Sequence, residues 1–451
     1  MVGILGVSWE AAVLAVCLPP IFVHVHWQPG ISIGFGSTTV NAYLSDFAVF
    51  VVGLVAIVAA ARRGLAPLRP GRVLWVSLVA LLAWIVVEVA LGRSRSAAYP
   101  WHTHAVTAAK YIEYALLAAS LPLVVRRRRD LLAPLWSLTL WSGLASLVGL
   151  GQFAGVHVFD AASAGSRQGS FVGTSDLAAL SGAVLLTGIV ALVVPEVQLG
   201  RRLGITAIAA GAVGVFLAGA VASVLGLVTA AVLLSAVLLR ERRLPERRAL
   251  AAGSAAVLAA VGVLIFRGGD IGSFSHFLRS SPASPQAKEK TVQTYAHHTL
   301  LAWIGLQIWK DHPVLGAGWE ASQDPATFER YLPAAHRRFP NEPSGAFPSR
   351  ARIYGVQNMW VQGLADLGLV GIALLVSSFA AVVAVAWRAS RGLGRTPALI
   401  GLGCTGLVAW LWASQSFVAG IPLDAVTWLA FGLVGTGAAW TADAAGRAEA
   451  E

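Results

Sequence analysis

Trp360–Trp387 reads WVQGLADLGLVGIALLVSSFAAVVAVAW, an apolar run whose only ionisable side chain is Asp366. A run of this kind is long enough to cross the hydrocarbon core of a bilayer, which takes about 20 residues in a helix. Immediately before it lies a polar stretch, Arg267 to Gln357. Before that stretch and after the run, the same apolar pattern returns again and again.

Working outward, the other segments of spanning length are Ser8–Val25, Leu44–Ala61, Val73–Leu91, Ala105–Val125, Leu131–Ala154, Asp176–Pro195, Leu203–Gly219, Val221–Leu239, Leu250–Phe266, Pro397–Phe417 and Leu423–Trp440. Hydrophobic residues make up 57% of the chain and charged residues 12%, against about 25% charged in soluble domains. The fold class is therefore all-α and polytopic, with about twelve transmembrane helices embedded in membrane lipids. It divides as 1–266 (helices one to nine), 267–359 (one long loop with an amphipathic helix) and 360–451 (helices ten to twelve and a short tail). The first segment carries Trp9 and Glu10, lacks a basic start, and reads as a retained helix.

Arginines alternate between the connections. One side receives Arg62, Arg63, Arg69 and Arg72, then Arg126–Arg129, Arg201–Arg202, Arg240–Arg248 and Arg388–Arg395. The positive-inside rule puts those loops and both termini in the cytoplasm, and the long loop on the outer face of the cytoplasmic (inner) membrane. The net charge of +11 is thus topological, and no basic patch interleaved with aromatics points to nucleic acid. Cys17 and Cys404 sit inside predicted helices, so no disulfide framework or metal motif can be drawn. His24 and His26, beside Trp27, read as an interfacial belt. Asp46 and Glu88, near helix ends, either snorkel or line a cavity. Gly219 with Ser223 and Ala222 with Gly226 have small-residue helix-packing spacing.

The loop opens with a Gly/Ser/Pro-rich connection, Gly268–Pro285, preceding an amphipathic helix over Ala287–Lys310 with Leu300, Leu301, Ile304 and Ile308 on one face. That helix, with Lys288, Glu289, Lys290, His297 and His298 at its start, is expected to lie on the membrane surface. Asp311-His312-Pro313 ends it, because proline disfavours helical geometry in the preceding residue. Gly316 and Gly318 then mark a tight turn. A cluster of guanidinium groups follows, Arg337, Arg338, Arg350 and Arg352, of the kind that grips phosphate oxygens; the same residues also serve as ordinary surface charges.

The loop closes on Gln357-Asn358-Met359-Trp360, and Gly368 and Gly371 follow. This spacing resembles the signature of the O-antigen ligase and O-antigen polymerase superfamily, with Asn358, Gly368 and Gly371 at the matching places and Gln357 where the family has histidine. Lys310–Gly318, with Pro313, Gly316 and Gly318, looks like the family's "PLLGVG" segment. Arg167-Gln168-Gly169 resembles its "RxxG" loop, and Lys110-Tyr111-Ile112-Glu113-Tyr114 its fourth helix.

The resemblance implies a GT-C-like architecture and a metal- and cofactor-independent transfer of a glycan from a polyprenyl-diphosphate donor to a hydroxyl acceptor. The acceptor is either another glycan (polymerase) or a lipid-anchored sugar such as lipid A-core (ligase), in polysaccharide or lipopolysaccharide biosynthesis. It implies donor-binding cations: Arg167 by motif, Arg350, Arg352, Arg337 and Arg338 by proximity to the closing motif, and Lys110. A chain-length regulator or flippase would be a natural partner.

Two family cations are softened: His298 stands near an expected arginine, and Ser223-Val224-Leu225-Gly226 replaces an "SRG"-like segment. Gln357 cannot act as the base that takes the acceptor's proton. Catalysis then rests on leaving-group stabilisation with late proton transfer, on a substitute base among His298, His312, Asp311, Glu320 and His336, or is lost. The missing histidine leans the reading towards polymerase over ligase. A transporter, or a silent binder of lipid-linked glycans, is the alternative from another class.

Overall fold

The structure, a computed structural model, describes residues 6–35, 38–159, 161–162, 164–193, 199–240, 261–262, 265, 294–340, 342–390, 395–418 and 425–450. The predicted ninth span Leu250–Phe266, apart from residues 261, 262 and 265, lies outside the described residues. So do the Gly268–Pro285 connection and Lys288, Glu289 and Lys290.

Fourteen α-helices can be followed among the described residues. They are α1 (Trp9–Ile21), α2 (Leu44–Arg63), α3 (Arg72–Arg95), α4 (Trp101–Val124), α5 (Arg128–Phe153), α6 (Thr174–Val193), α7 (Arg201–Ala218) and α8 (Val221–Arg240). After these come α9 (Thr294–Asp311), α10 (Pro325–Phe328), α11 (Leu332–Arg338), α12 (Met359–Ser390), α13 (Arg395–Val418) and α14 (Ala425–Ala450). Among the described residues, 7 helical segments are long and apolar enough to cross a membrane: those of α2, α3, α5, α6, α7, α12 and α14. The chain is an all-α polytopic membrane protein.

The bundle is held by pairs of neighbours: α6 on α7, α8 on α13, α4 on α14, α3 on α12, α1 on α5 and α2 on α4. Small residues permit the closest of these approaches, as on the α6–α7 contact, where Gly188 meets the backbone of Gly204 and Ile208. The boundary between α7 and α8 falls where the sequence placed it. Gly219, in the left-handed conformation at φ 56°, ends α7 by returning its N–H to Val215 and Phe216.

A two-stranded hairpin, β1 (Gly30–Phe35) and β2 (Thr38–Tyr43), joins α1 to α2. Its pairing sets Ile31 opposite Ala42 and Ile33 opposite Val40, while Ser32 faces Asn41. The long loop has a small core of its own, in which Leu300, Leu301, Ile304 and Ile308 of α9 meet Phe328, Ala335, Phe347 and Ala365. The apolar stripe of α9 is therefore as the sequence predicts, but its place is different. It is buried against α10, α11 and α12 rather than lying on lipid, because the second half of the loop folds back over it.

Candidate functional site

The loop is fastened to the bundle by a break in α12. At Gly368 the backbone turns to φ 65°, ψ −167°, a conformation open essentially to glycine alone. The break strands carbonyls on one side and N–H groups on the other, and Pro313–Gly318 supplies their partners. Ala317 N–H donates to Ala365 O (2.8 Å) and Gly318 N–H to Asp366 O (3.1 Å). In return, Leu369 N–H donates to Pro313 O (3.0 Å) and Val370 N–H to Val314 O (3.2 Å). Trp84 Nε1 donates to the remaining carbonyl, Leu367 O, at 3.2 Å. A Cβ on Gly316 (φ 74°) would sit 2.3 Å from Asp366 O, so both glycines are demanded by this contact.

Side chains tighten the same junction. Arg95 Nη1 donates to Gly316 O (2.8 Å) and pairs with the buried Glu88 (3.2 Å). His104 Nε2 lies 3.0 and 3.1 Å from the two carboxylate oxygens of Asp324, and its Nδ1 is 3.6 Å from Glu320. Tyr99 O–H donates to Trp319 O at 2.8 Å. Burial, together with Asp366, Asp324, Glu320 and Glu88 around it, pushes the Tyr99 phenol far up, so it remains a donor. Trp319 Nε1 donates to Thr107 Oγ1 at 2.9 Å, and its ring packs edge-on against Tyr111.

Lys110 lies six residues beyond His104 on α4, about 9 Å along its axis. There the ends of α1, α2, α6 and α14 and the middle of α4 surround an open cavity of about 330 Å³. Lys110 and Tyr114, at i and i+4, share the helix face that lines it. Lys110 Nζ donates to Asp46 Oδ2 (2.8 Å) and to Asn41 O of the hairpin (2.9 Å), and lies over the Tyr43 ring at 5.0 Å. Asp46 also accepts from Tyr43 N–H at 2.8 Å. Gln28 bridges the rim, accepting from Ser45 N–H (2.8 Å) and donating to Val23 O. His24, on the wall, donates its N–H to Phe171 O (2.9 Å), and Gly173 packs on its ring. The Arg167–Gly173 loop therefore borders the cavity.

The residues singled out from sequence fall into three places. Lys110 lines the cavity. Arg167 sits beside it at the start of the bordering loop, its Nε donating to Ala218 O at 2.9 Å. Pro313, Gly316, Gly318, Gly368 and Gly371 form the helix-break junction, with Gly371 next to Trp84. Asn358 caps α12, its Oδ1 accepting from Trp360 and Val361 N–H, and Gln357 is half-buried just before it.

The rest lie on the loop. Arg350 forks onto Glu329 at 2.7 and 3.1 Å on an exposed edge, its side chain 80% accessible. Arg352, in a tight backbone bridge with Ser349, is exposed, as are Arg337 and Arg338. Asp311 accepts from Tyr331 O–H at 2.6 Å. Burial lowers His312 below the usual histidine range, and burial with neighbouring His297 drives His298 down to about 4. Both imidazoles are thus neutral, His298 being a weak base. Glu320 adopts a left-handed backbone at φ 56° beside His104. His336 is stacked on Phe347 at 3.8 Å.

Sequence reasoning missed His104, Asp324 and Tyr99, and passed over Asp46 as ambiguous. Nothing local marks His104 and Asp324, which are 220 residues apart. The hairpin did leave a signal, an apolar/polar alternation through Ile31, Ile33 and Phe35. Among the described residues, no group of three or more His, Cys, Asp or Glu side chains is placed to hold a metal ion.

Residues 206–376 match the family described as O-antigen ligase. That span contains both halves of the helix-break junction, and the match supports the resemblance to the O-antigen ligase/polymerase superfamily. No curated protein matches the chain.

Proposed function

We propose that this chain, an O-antigen ligase/polymerase-type membrane protein, transfers a glycan from a polyprenyl-diphosphate donor to a hydroxyl acceptor on the outer face of the cytoplasmic membrane. The observation that carries the reading is the interlock of Pro313–Gly318 with α12 at Gly368, inside the matched stretch. It sets a folded loop against the first turns of α4, whose later turns line the cavity.

In the reaction, the acceptor oxygen forms a bond to the donor sugar's anomeric carbon. The bond from that carbon to the diphosphate oxygen breaks, and the polyprenyl diphosphate leaves with the electron pair. The acceptor's proton passes to a base or to water. Gln357, as an amide, orients the hydroxyl without accepting its proton. Arg167, on the loop that borders the cavity, is the cation we assign to the leaving diphosphate, on its match to the family's loop arginine. Stabilisation of that leaving group supplies most of the acceleration.

The missing histidine favours a polymerase, in which one lipid-linked glycan is extended by another; the ligase is the second reading. The full-length protein, purified and supplied with a polyprenyl-diphosphate oligosaccharide, separates them. A ladder from donor alone identifies a polymerase, and product only after adding a lipid-anchored sugar identifies a ligase. Absence of diphosphate release in either case overturns the enzyme and leaves a transporter or a glycan binder.

A further inference from the structure

We infer that the cavity around Lys110 is a subsite for the uncharged sugar rings of the acceptor glycan, and not for the donor's diphosphate. The inference rests on the glycosyl-transfer reading for the word acceptor, but the binding it describes is independent of turnover.

Charge makes the first case. Among the described residues lining the cavity, Lys110 is the one Lys or Arg, while Asp46 and Asp176 are both carboxylates. Lys110 is already paired with Asp46 at 2.8 Å and bonded to Asn41 O. A diphosphate entering here meets a lining that offers no guanidinium fork and whose lysine is already committed to Asp46. The Arg167 loop borders the cavity from outside, so the two chemistries are adjacent and separate.

The second case comes from the lining itself. Sugar rings present apolar C–H faces and outward hydroxyls, and they suit sites that combine aromatic faces with fixed acceptors. Tyr114, with Tyr43 whose ring Lys110 overlies, lines it with aromatic surface, and Asp46, Asp176 and Gln28 add acceptors. Asp46 is held by two bonds, from Tyr43 N–H and Lys110 Nζ, and Gln28 by bonds to Val23 and Ser45, so both are pre-positioned. At about 330 Å³ the cavity is at the small end of ligand sites, roughly 300–1,000 Å³. It accommodates the end of a glycan rather than its length.

The test uses the full-length protein in lipid nanodiscs, carrying Val25→Cys at the cavity rim, where Val25 is exposed. Maleimide labelling is followed with the unsubstituted protein as background for Cys17 and Cys404. The probes are inorganic diphosphate and the lipid-free oligosaccharide released by mild acid from the envelope donor of the cells that make the protein.

Severalfold slower labelling with the oligosaccharide, no change with diphosphate, and loss of protection on adding Tyr43→Ala or Asp176→Asn is the expected result. Size-exclusion chromatography shows that those variants remain folded. Protection by diphosphate, protection by neither probe, or protection that survives both variants overturns the inference. If protection holds while the purified protein releases no diphosphate from donor, the proposed enzyme fails and the glycan site stands.

Discussion

Two ion pairs on the loop-bearing side of the molecule show how differently cations are used. Arg350 grips Glu329 with both arms of its fork on an edge that water reaches freely. Lys110, in the middle of α4, holds Asp46 where four helix ends and a hairpin converge, partly shielded, with a cavity in front of it. Exposed pairs of the first kind are weak because both partners are as well solvated apart as together. Pairs of the second kind fix the position of groups that face a ligand. The arginine-rich edge of the loop is the conspicuous feature of the sequence, whereas the pair beside a cavity is the inconspicuous one.

Four perturbations would break or sharpen that contrast. The largest effect is expected from Gly368→Ala, which places a Cβ 2.3 Å from Val314 O at a positive φ. It should cost about 3 kcal/mol or more, read as a lowered thermal midpoint and loss of the ordered loop to limited proteolysis.

Next comes Lys110→Gln, expected to lower glycan transfer about tenfold, or ~1.4 kcal/mol in the barrier, with a near-normal unfolding midpoint. Full activity in that variant would remove the cavity from the reaction.

A pH titration gives the third, intermediate effect. His298 is held at about 4 when folded against about 6.5 in an unfolded chain, so between those values the unfolded state binds more protons. Stability contributed by the neutral ring is complete above about pH 6.5 and is lost as pH falls towards 4. Hydrogen exchange in α9 should accelerate across that window, and His298→Gln should flatten the profile.

The smallest effect is reserved for Arg350→Ala. With its fork committed to Glu329 in open solvent, removal should leave the unfolding midpoint unchanged and transfer within about twofold. A collapse of transfer would return the diphosphate to the loop edge.

Much of the architecture was legible because lipid imposes a simple grammar on sequence. Long apolar runs became α2, α3, α5, α6, α7, α12 and α14, and the boundary at Gly219 was found where small residues cluster. The glycines of the closing motif were recognisable as a pattern. Their reason was not, since Gly316 and Gly368 are needed because each abuts the other's backbone and both adopt positive φ. The stripe on α9 was visible, but nothing local told whether lipid or Phe328 and Phe347 would cover it. The candidate site was the least legible part. Lys110 was picked out by resemblance, yet its partner Asp46 lies 64 residues away and its neighbour Tyr43 ends an unforeseen strand. Pairings of this kind are fixed by helix packing, which periodicity does not encode.

The interruption of α12 also limits how this protein can be re-engineered. Four of the backbone bonds around the Gly368 break belong to Pro313–Gly318, so the loop is not a detachable module inserted between two spans. A chimera that exchanges the loop between related proteins with junctions at the membrane border would leave one parent's strand in the other parent's helix. Swaps that carry 313–318 together with 359–371 as one cassette should assemble, and those that separate them should not.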